Sequence, residues 1–270
     1  MKVSEFLKQM FVERYCVLCG EAISYEEKEP FCEECREHWK EFLKVKCRNC
    51  GRINNDCICL PRKIIKINHG IAGWCVFYDA STNGEINKLF YNLKHRYDRE
   101  IVDLCAERMK DRVKGVFNSR GLIYKDYVVT YAPRRHKSAN RYGFDQSKKL
   151  AKALAKKLGI KCINTFENVA KQEQKGLNKK ERAFNAQSSY VYIEDSLKDY
   201  KNIILVDDII TSGATMYACA FQLYKHGANS VVPIAFAKDN YKERGVRKNA
   251  KRNTKYNFAR AVKGFVRNGS

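Results

Sequence analysis

The sequence predicts an α/β protein: a mostly parallel sheet with helices on both faces, preceded by a small double zinc-ribbon-like module. Three observations predict it. Beyond Pro61, runs with strand character alternate with amphipathic helical runs. Further on, Ile203-Ile204-Leu205-Val206 leads directly into Asp207-Asp208 and then into the small, hydroxyl-bearing stretch Thr211-Ser212-Gly213-Ala214-Thr215. Eight of the twelve cysteines fall before residue 60, in four short pairs.

The cysteine pairs are Cys16-x-x-Cys19, Cys32-x-x-Cys35, Cys47-x-x-Cys50 and Cys57-x-Cys59. Tetrahedral zinc needs four thiolates about 2.3 Å from the ion, and two short turns facing each other supply them. Gly20 and Gly51 each follow a second cysteine, where such a knuckle turns sharply. The simplest arrangement is sequential, with one structural zinc on Cys16, Cys19, Cys32 and Cys35 and another on Cys47, Cys50, Cys57 and Cys59. An interleaved cross-brace satisfies the same spacing, and an iron–sulfur cluster or redox thiols are the other chemistries open to such pairs. Cys75, Cys105, Cys162 and Cys219 lie in apolar or helical surroundings and read as small core residues.

The elements follow in order. Residues 71 to 78 read as a strand, 85 to 95 and 101 to 113 as helices, and 126 to 132 as the next strand. That strand ends in Pro133 and a loop crowded with Arg134, Arg135, His136, Lys137 and Arg141. From Phe144 to Leu158, apolar residues fall on one helical face, and Gly159 closes the helix. A polar stretch, Lys171 to Arg182, carries five basic residues against two glutamates. The apolar strand of residues 203 to 206, a helix from 215 to 226 and a strand from 230 to 236 complete the pattern, with Pro233 placing the last strand near an edge. Three segments result: residues 1–62, residues 63–237, and a basic tail, 238–270, that interleaves Tyr241, Tyr256, Phe258 and Phe265 with its cations.

Composition restricts the partners. The formal charge is +22, and it is unevenly placed: residues 1–70 carry 13 basic and 11 acidic side chains, residues 71–237 carry 28 and 17, and residues 238–270 carry 11 and 2. Such a field favours polyanions: nucleic acid, anionic membrane or phosphorylated metabolites. No apolar run reaches the roughly 20 residues that span a bilayer, and Met1 to Cys16 lacks the apolar core of a signal peptide. A cytoplasmic location is expected, with a peripheral place on the inner face of the membrane compatible with the charge.

The Asp207-Asp208 stretch carries the most chemistry. Adjacent carboxylates at a strand end repel each other and need a compensating ligand or cation. The residues after them can offer backbone N–H groups and hydroxyls to a phosphate as a helix begins. Open α/β sheets bind ligands at this end of their strands.

Residues 203 to 215 resemble the phosphoribosyl pyrophosphate signature of type I phosphoribosyltransferases. The wider order of motifs resembles the ComF family, in which a zinc module precedes a phosphoribosyltransferase-like domain, over residues 16 to about 237. The supporting pieces are Leu93-Lys94 with Asp98, Pro133, Gly143-Phe144-Asp145-Gln146, Gln174-x-x-Leu177, Glu181-Arg182 and Asn185. Departures from that family are Thr130-Tyr131-Ala132-Pro133 for the usual Val-Pro-Val-Pro, Asp145 for Asn, Lys171 for Thr and Tyr142 for Arg. They blur the edge that binds polyphosphate.

The resemblance implies that Asp207 and Asp208 bond the ribose hydroxyls and that Thr211, Ser212, Gly213, Ala214 and Thr215 hold the 5′-phosphate. It implies that Arg135 and Lys137 face pyrophosphate with magnesium, and that Arg182 and Asn185 lie on a loop closing over the leaving group. The implied activity is binding of phosphoribosyl pyrophosphate together with single-stranded DNA during natural competence, alongside a helicase-like ATPase. The alternative is transfer of a ribosyl phosphate group to an unknown acceptor with release of pyrophosphate.

Overall fold

The computed structural model describes residues 13–79, 84, 86–134, 143–169 and 189–240. Arg135, Lys137, Lys171, Arg182, Asn185 and the tail after Asn240 lie outside the described residues.

The described elements run α1 (Glu33–Leu43), α2 (Arg62–Ile67), β1 (Gly73–Tyr78), α3 (Ile86–His95), α4 (Arg99–Asn118), β2 (Val128–Tyr131), α5 (Gln146–Leu158), β3 (Phe166–Asn168), β4 (Tyr190–Tyr192), β5 (Asn202–Ile210), α6 (Ala214–Lys225) and β6 (Ser230–Asp239). Four strands form one parallel sheet in the order β1-β6-β5-β2, and β3 and β4 form a separate antiparallel pair. Alternation along β5 sorts its apolar residues onto two cores. Ile204 and Val206 pack with α3, α4 and α5, while Ile203 and Leu205 pack with α2 and α6. A strand buried on both faces is a continuous apolar run, which is why Ile203 to Val206 carry no polar residue.

Local chemistry sets the element ends. Asp98 caps α4 by accepting from the N–H groups of Glu100 and Ile101, which extends that helix beyond the expected residues 101–113. Asp145 caps α5 by accepting from Lys148 N, so this helix starts at Gln146 rather than Phe144, and Gly159 ends it in the left-handed region.

Two expectations are corrected. Pro233 does not lie on an edge strand: β6 is central, between β1 and β5. The proline is tolerated because pairing with β1 begins only one residue later, at Gly73↔Ile234, where β6 gains its second neighbour. The last strand also continues past Phe236 to Asp239, and Asn240 remains buried, its N–H bonded to Tyr78 O. Lys238 and Asn240, which composition alone assigns to the tail, therefore belong to the packed fold.

The amino-terminal module sits on this sheet in two places. Its first half, with Cys16, Phe31, Cys35 and Trp39, joins the core under α3 and α4, and its second half packs Cys47 and Cys57 against Trp74 and Phe77. Among the described residues no helix is long and apolar enough to cross a membrane.

Candidate functional site

The eight amino-terminal cysteines gather as two groups of four: Cys16, Cys19, Cys32 and Cys35, and Cys47, Cys50, Cys57 and Cys59. All Sγ atoms within a group lie within 4.8 Å of one another. The grouping is sequential, not a cross-brace. Cys19 Sγ stands 3.6 Å from Cys32 Sγ and Cys50 Sγ 3.7 Å from Cys57 Sγ, close to the edge of about 3.8 Å expected for a tetrahedron with Zn–S near 2.3 Å.

Both knuckles use the same backbone wiring. Cys16 N donates to Glu21 O and Gly20 N to Cys16 O; Cys47 N donates to Arg52 O and Gly51 N to Cys47 O. Gly20 (φ +84°) and Gly51 (φ +70°) hold the left-handed turn that closes each.

The thiols do not ionise together unaided. Burial opposes ionisation at Cys16, but N–H groups of Cys19, Cys32 and Leu18 outweigh it and bring the thiol down to about 7. Burial and the neighbouring thiols push Cys35 far up. In the second group, burial and Cys50 push Cys59 up to about 11. Four thiolates at this spacing need a divalent cation, so the donor set fits a structural zinc at each group, with no position left for a substrate. Cys75, Cys105 and Cys219 are buried in the core and Cys162 is half-buried; none joins either group.

At the other site, β5 carries Asp207 and Asp208 to the carboxyl end of the sheet. Helix α5 holds both: Ser147 Oγ donates to Asp207 Oδ1 at 3.1 Å, and Gln146 Nε2 donates to Asp208 Oδ2 at 3.2 Å. Burial, then the charge of Asp208, pushes the Asp207 carboxyl well above the usual carboxylate range. Gln146 Oε1 is buried with no hydrogen-bond partner among the described residues, so an acceptor stands ready beside the carboxylates for a ligand hydroxyl.

Sequence reasoning missed Ser147 altogether and gave Gln146 no role. The available signal was position: both lie in the first turn of a helix that packs on β5.

After β5, Thr211 and Ser212 are exposed and Gly213 is buried. Gly213 occupies the N-cap of α6 in the left-handed region (φ +73°), with no side-chain cap, and Ala214 and Thr215 form the first turn. The leading N–H groups of α6 are thus left uncapped by any side chain, as an anion site requires.

The basic loop begins at Arg134. Its N–H donates to Asp145 Oδ2 at 2.7 Å, and its guanidinium donates to Lys94 O at 2.6 Å. Asp145 accepts two backbone N–H groups at once, from Arg134 and Lys148. Its two carboxyl oxygens suit that double task, one for each N–H, and tie the start of the basic loop to the helix that holds Asp207 and Asp208.

Residues 145–267 match the family model for the phosphoribosyl transferase domain. The match covers Asp145, Gln146, Ser147, Asp207, Asp208 and the Thr211–Thr215 loop. A ribose-phosphate pyrophosphokinase of Sulfurisphaera tokodaii is 25% identical over 172 residues, 53% of this chain and 58% of that protein. The chain thus spans somewhat over half the length of that curated relative. Among solved structures, a hypothetical protein from Neisseria gonorrhoeae with bound ppGpp is 13% identical at a TM-score of 0.31, covering 56% of this chain and 76% of that one. A Trypanosoma cruzi hypoxanthine phosphoribosyl transferase is 11% identical at 0.30, covering 54% and 70%. The sheet with its flanking helices is phosphoribosyltransferase-like, behind an amino-terminal module of two four-cysteine groups.

Proposed function

We propose that the chain binds phosphoribosyl pyrophosphate, or a closely related sugar phosphate, at the end of β5, and acts as a ComF-like protein on single-stranded DNA during uptake. One observation carries the first half. Two adjacent carboxylates, held by Ser147 and Gln146, stand five residues before Gly213, the N-cap of a helix with no side-chain cap, within residues that match the phosphoribosyl transferase domain. In this reading Asp207 and Asp208 accept from the ribose hydroxyls, Gln146 Oε1 receives a further ligand donor, and N–H groups from Thr211 to Thr215 cradle the 5′-phosphate. Magnesium bound to the pyrophosphate would neutralise its charge; Arg135, Lys137 and Arg182 are the proposed cationic partners of that group. In the same proposal residues 1–62 form the zinc module, 63–237 the sugar-phosphate domain, and the rest a basic extension whose first residues complete β6.

The DNA half is supported by charge and by a cleft of about 630 Å³ beside the first knuckle, lined by Tyr15, Tyr91, Tyr97, Lys88 and Arg96. The three tyrosines are exposed, and Lys149 Nζ lies 4.3 Å from the Tyr97 ring centroid. Exposed rings among cations suit single strands, which stack bases while their phosphates are neutralised. A helicase-like ATPase is the class of partner that would supply energy for strand movement.

A second reading is favoured by the domain match: transfer of the ribosyl phosphate to an acceptor. The acceptor's lone pair would form the new bond at the anomeric carbon as the bond to pyrophosphate breaks, with pyrophosphate leaving on both electrons. Calorimetry with phosphoribosyl pyrophosphate and magnesium tests the site. Binding to the full chain, lost in Asp208→Asn, is expected under both readings; absence of binding, or binding indifferent to Asp208→Asn, overturns it. Pyrophosphate released with a ribosylated product would decide for the transferase.

A further inference from the structure

Two routes lead from the second cysteine group to the two ends of the Thr211–Gly213 loop. The first follows the chain. Leu60, next to Cys59, packs against both the core of Cys47, Cys57, Trp74 and Phe77 and the core beneath α6. Pro61 then opens α2, where Ile64 is fully buried. Ile64 lies so close to Gly213 that a Cβ built there would stand 2.7 Å from Ile64 Cγ1. This fixes the far end of the loop.

The second route crosses from β6. Asn240 brackets Cys47, its Oδ1 accepting from Arg48 N at 3.0 Å and its Nδ2 donating to Lys46 O at 3.1 Å. Lys238 is 4% exposed, with Nζ 5.5 Å from the Trp74 ring and 5.2 Å from that of Phe77, the two rings that also cover Cys47 and Cys57. No described carboxylate pairs with it. A buried ammonium is costly unless compensated, and four thiolates around a divalent ion leave the net negative charge that compensates it. Lys238 is the register partner of Ile210, the residue before Thr211. This fixes the near end. The first cysteine group packs instead with Leu89, Phe90 and Leu93 under α3.

We propose that the metal-loaded second group is the support of the Thr211–Gly213 loop, with Ile64 and Lys238 as positioning residues at its two ends, so that metal occupancy and sugar-phosphate binding are linked. The linkage rests on the sugar-phosphate reading above; the mechanical support does not. By reciprocity, whatever the metal adds to ligand affinity the ligand adds to metal affinity.

The test is hydrogen exchange of residues 209–216 in the full-length protein, with zinc content measured alongside. Ile64→Val and Cys59→Ser are expected to speed exchange there by about tenfold, a coupling of ordinary size, with Ile64→Val retaining both zinc ions. Cys19→Ser, in the first group, and Leu223→Ala, in the α6 core away from the loop, should leave the segment unchanged. Lys238→Met should lose zinc from the second group to a chelator more readily than the parent chain. Equal acceleration in Cys19→Ser or Leu223→Ala, or none in Ile64→Val, overturns the support. Should Cys59→Ser not fold, Ile64→Val and Lys238→Met decide alone. Calorimetry with magnesium and phosphoribosyl pyrophosphate separates the two claims: weaker binding by Ile64→Val supports the linkage and unchanged binding refutes it. A parent chain that does not bind overturns the sugar-phosphate reading, while exchange still judges the support.

Discussion

Ile64 and Gly213 make a contact that leaves no room for a Cβ: one built on Gly213 would come within 2.7 Å of Ile64 Cγ1 and 2.9 Å of Ile64 Cδ1. The helix that leaves the cysteine module thus rests directly on the turn that opens the candidate phosphate site. Gly213→Ala meets two penalties, the close approach and a φ of +73°. A loss of about 1–3 kcal/mol is expected from such strain, read as a lower midpoint in urea, together with weaker binding of phosphoribosyl pyrophosphate. An unchanged midpoint would refute the contact.

The Asp207 carboxyl is held above its ordinary range by burial and by Asp208. Its folded value exceeds its unfolded value, so the stability it contributes is present below the unfolded value, near 3.9, and is lost as pH rises through the folded one. Asp207→Asn removes this dependence. Melting temperature against pH should therefore fall less on the alkaline side of pH 4 in the variant than in the parent, and sugar phosphate with magnesium should flatten the parent's curve. Parallel curves would count against the pair.

Asp145 accepts from Lys148 N and Arg134 N. Asp145→Ala removes a helix cap, which costs about 1 kcal/mol, and also frees the start of the basic loop. The expected signature is modest destabilisation with a disproportionate loss of affinity for the pyrophosphate-bearing ligand over ribose 5-phosphate. Asp145→Asn keeps one acceptor oxygen for the N–H of Lys148 and puts an NH2 donor where the second oxygen met Arg134 N, so it should restore most of the stability but little of the affinity.

Single-stranded DNA binding is best measured across a salt series with the full chain and with one ending at Asn240. Ending it at Ala237 would remove Lys238 and Asn240, which hold the second cysteine group. Affinity that falls steeply with salt yet survives truncation at Asn240 places DNA on the folded part. Tyr91→Ala and Tyr97→Ala should then each weaken binding by about 1–3 kcal/mol, the worth of a stacked base. Affinity lost wholly with the tail would assign it to residues 241–270.

Legibility differed between the two sites for physical reasons. A knuckle is a local object, so the spacing of Cys16, Cys19, Cys32 and Cys35 announced it; spacing made sequential pairing the simplest but left an interleaved cross-brace open, and the fold brought the sulfurs together in chain order. Apolar β5 and its terminal carboxylates were likewise plain in the sequence. Ser147 and Gln146 were not, because they reach Asp207 and Asp208 across some sixty residues of chain, through packing that no local pattern encodes.

What the sequence determined by itself is therefore what depends on neighbours along the chain: the strand and helix periods, the cysteine spacing, the helix end at Gly159, and the carboxylate pair followed by small hydroxyl residues. The tertiary structure decided what depends on neighbours in space. It placed β6 at the centre of the sheet despite Pro233, because β1 begins pairing one residue later. It also brought Lys238 and Asn240 out of an apparent tail to the second cysteine group, and set Ile64 on Gly213. Strand order and helix docking are fixed by the burial of two apolar faces at once, a condition on the whole chain that no single segment carries.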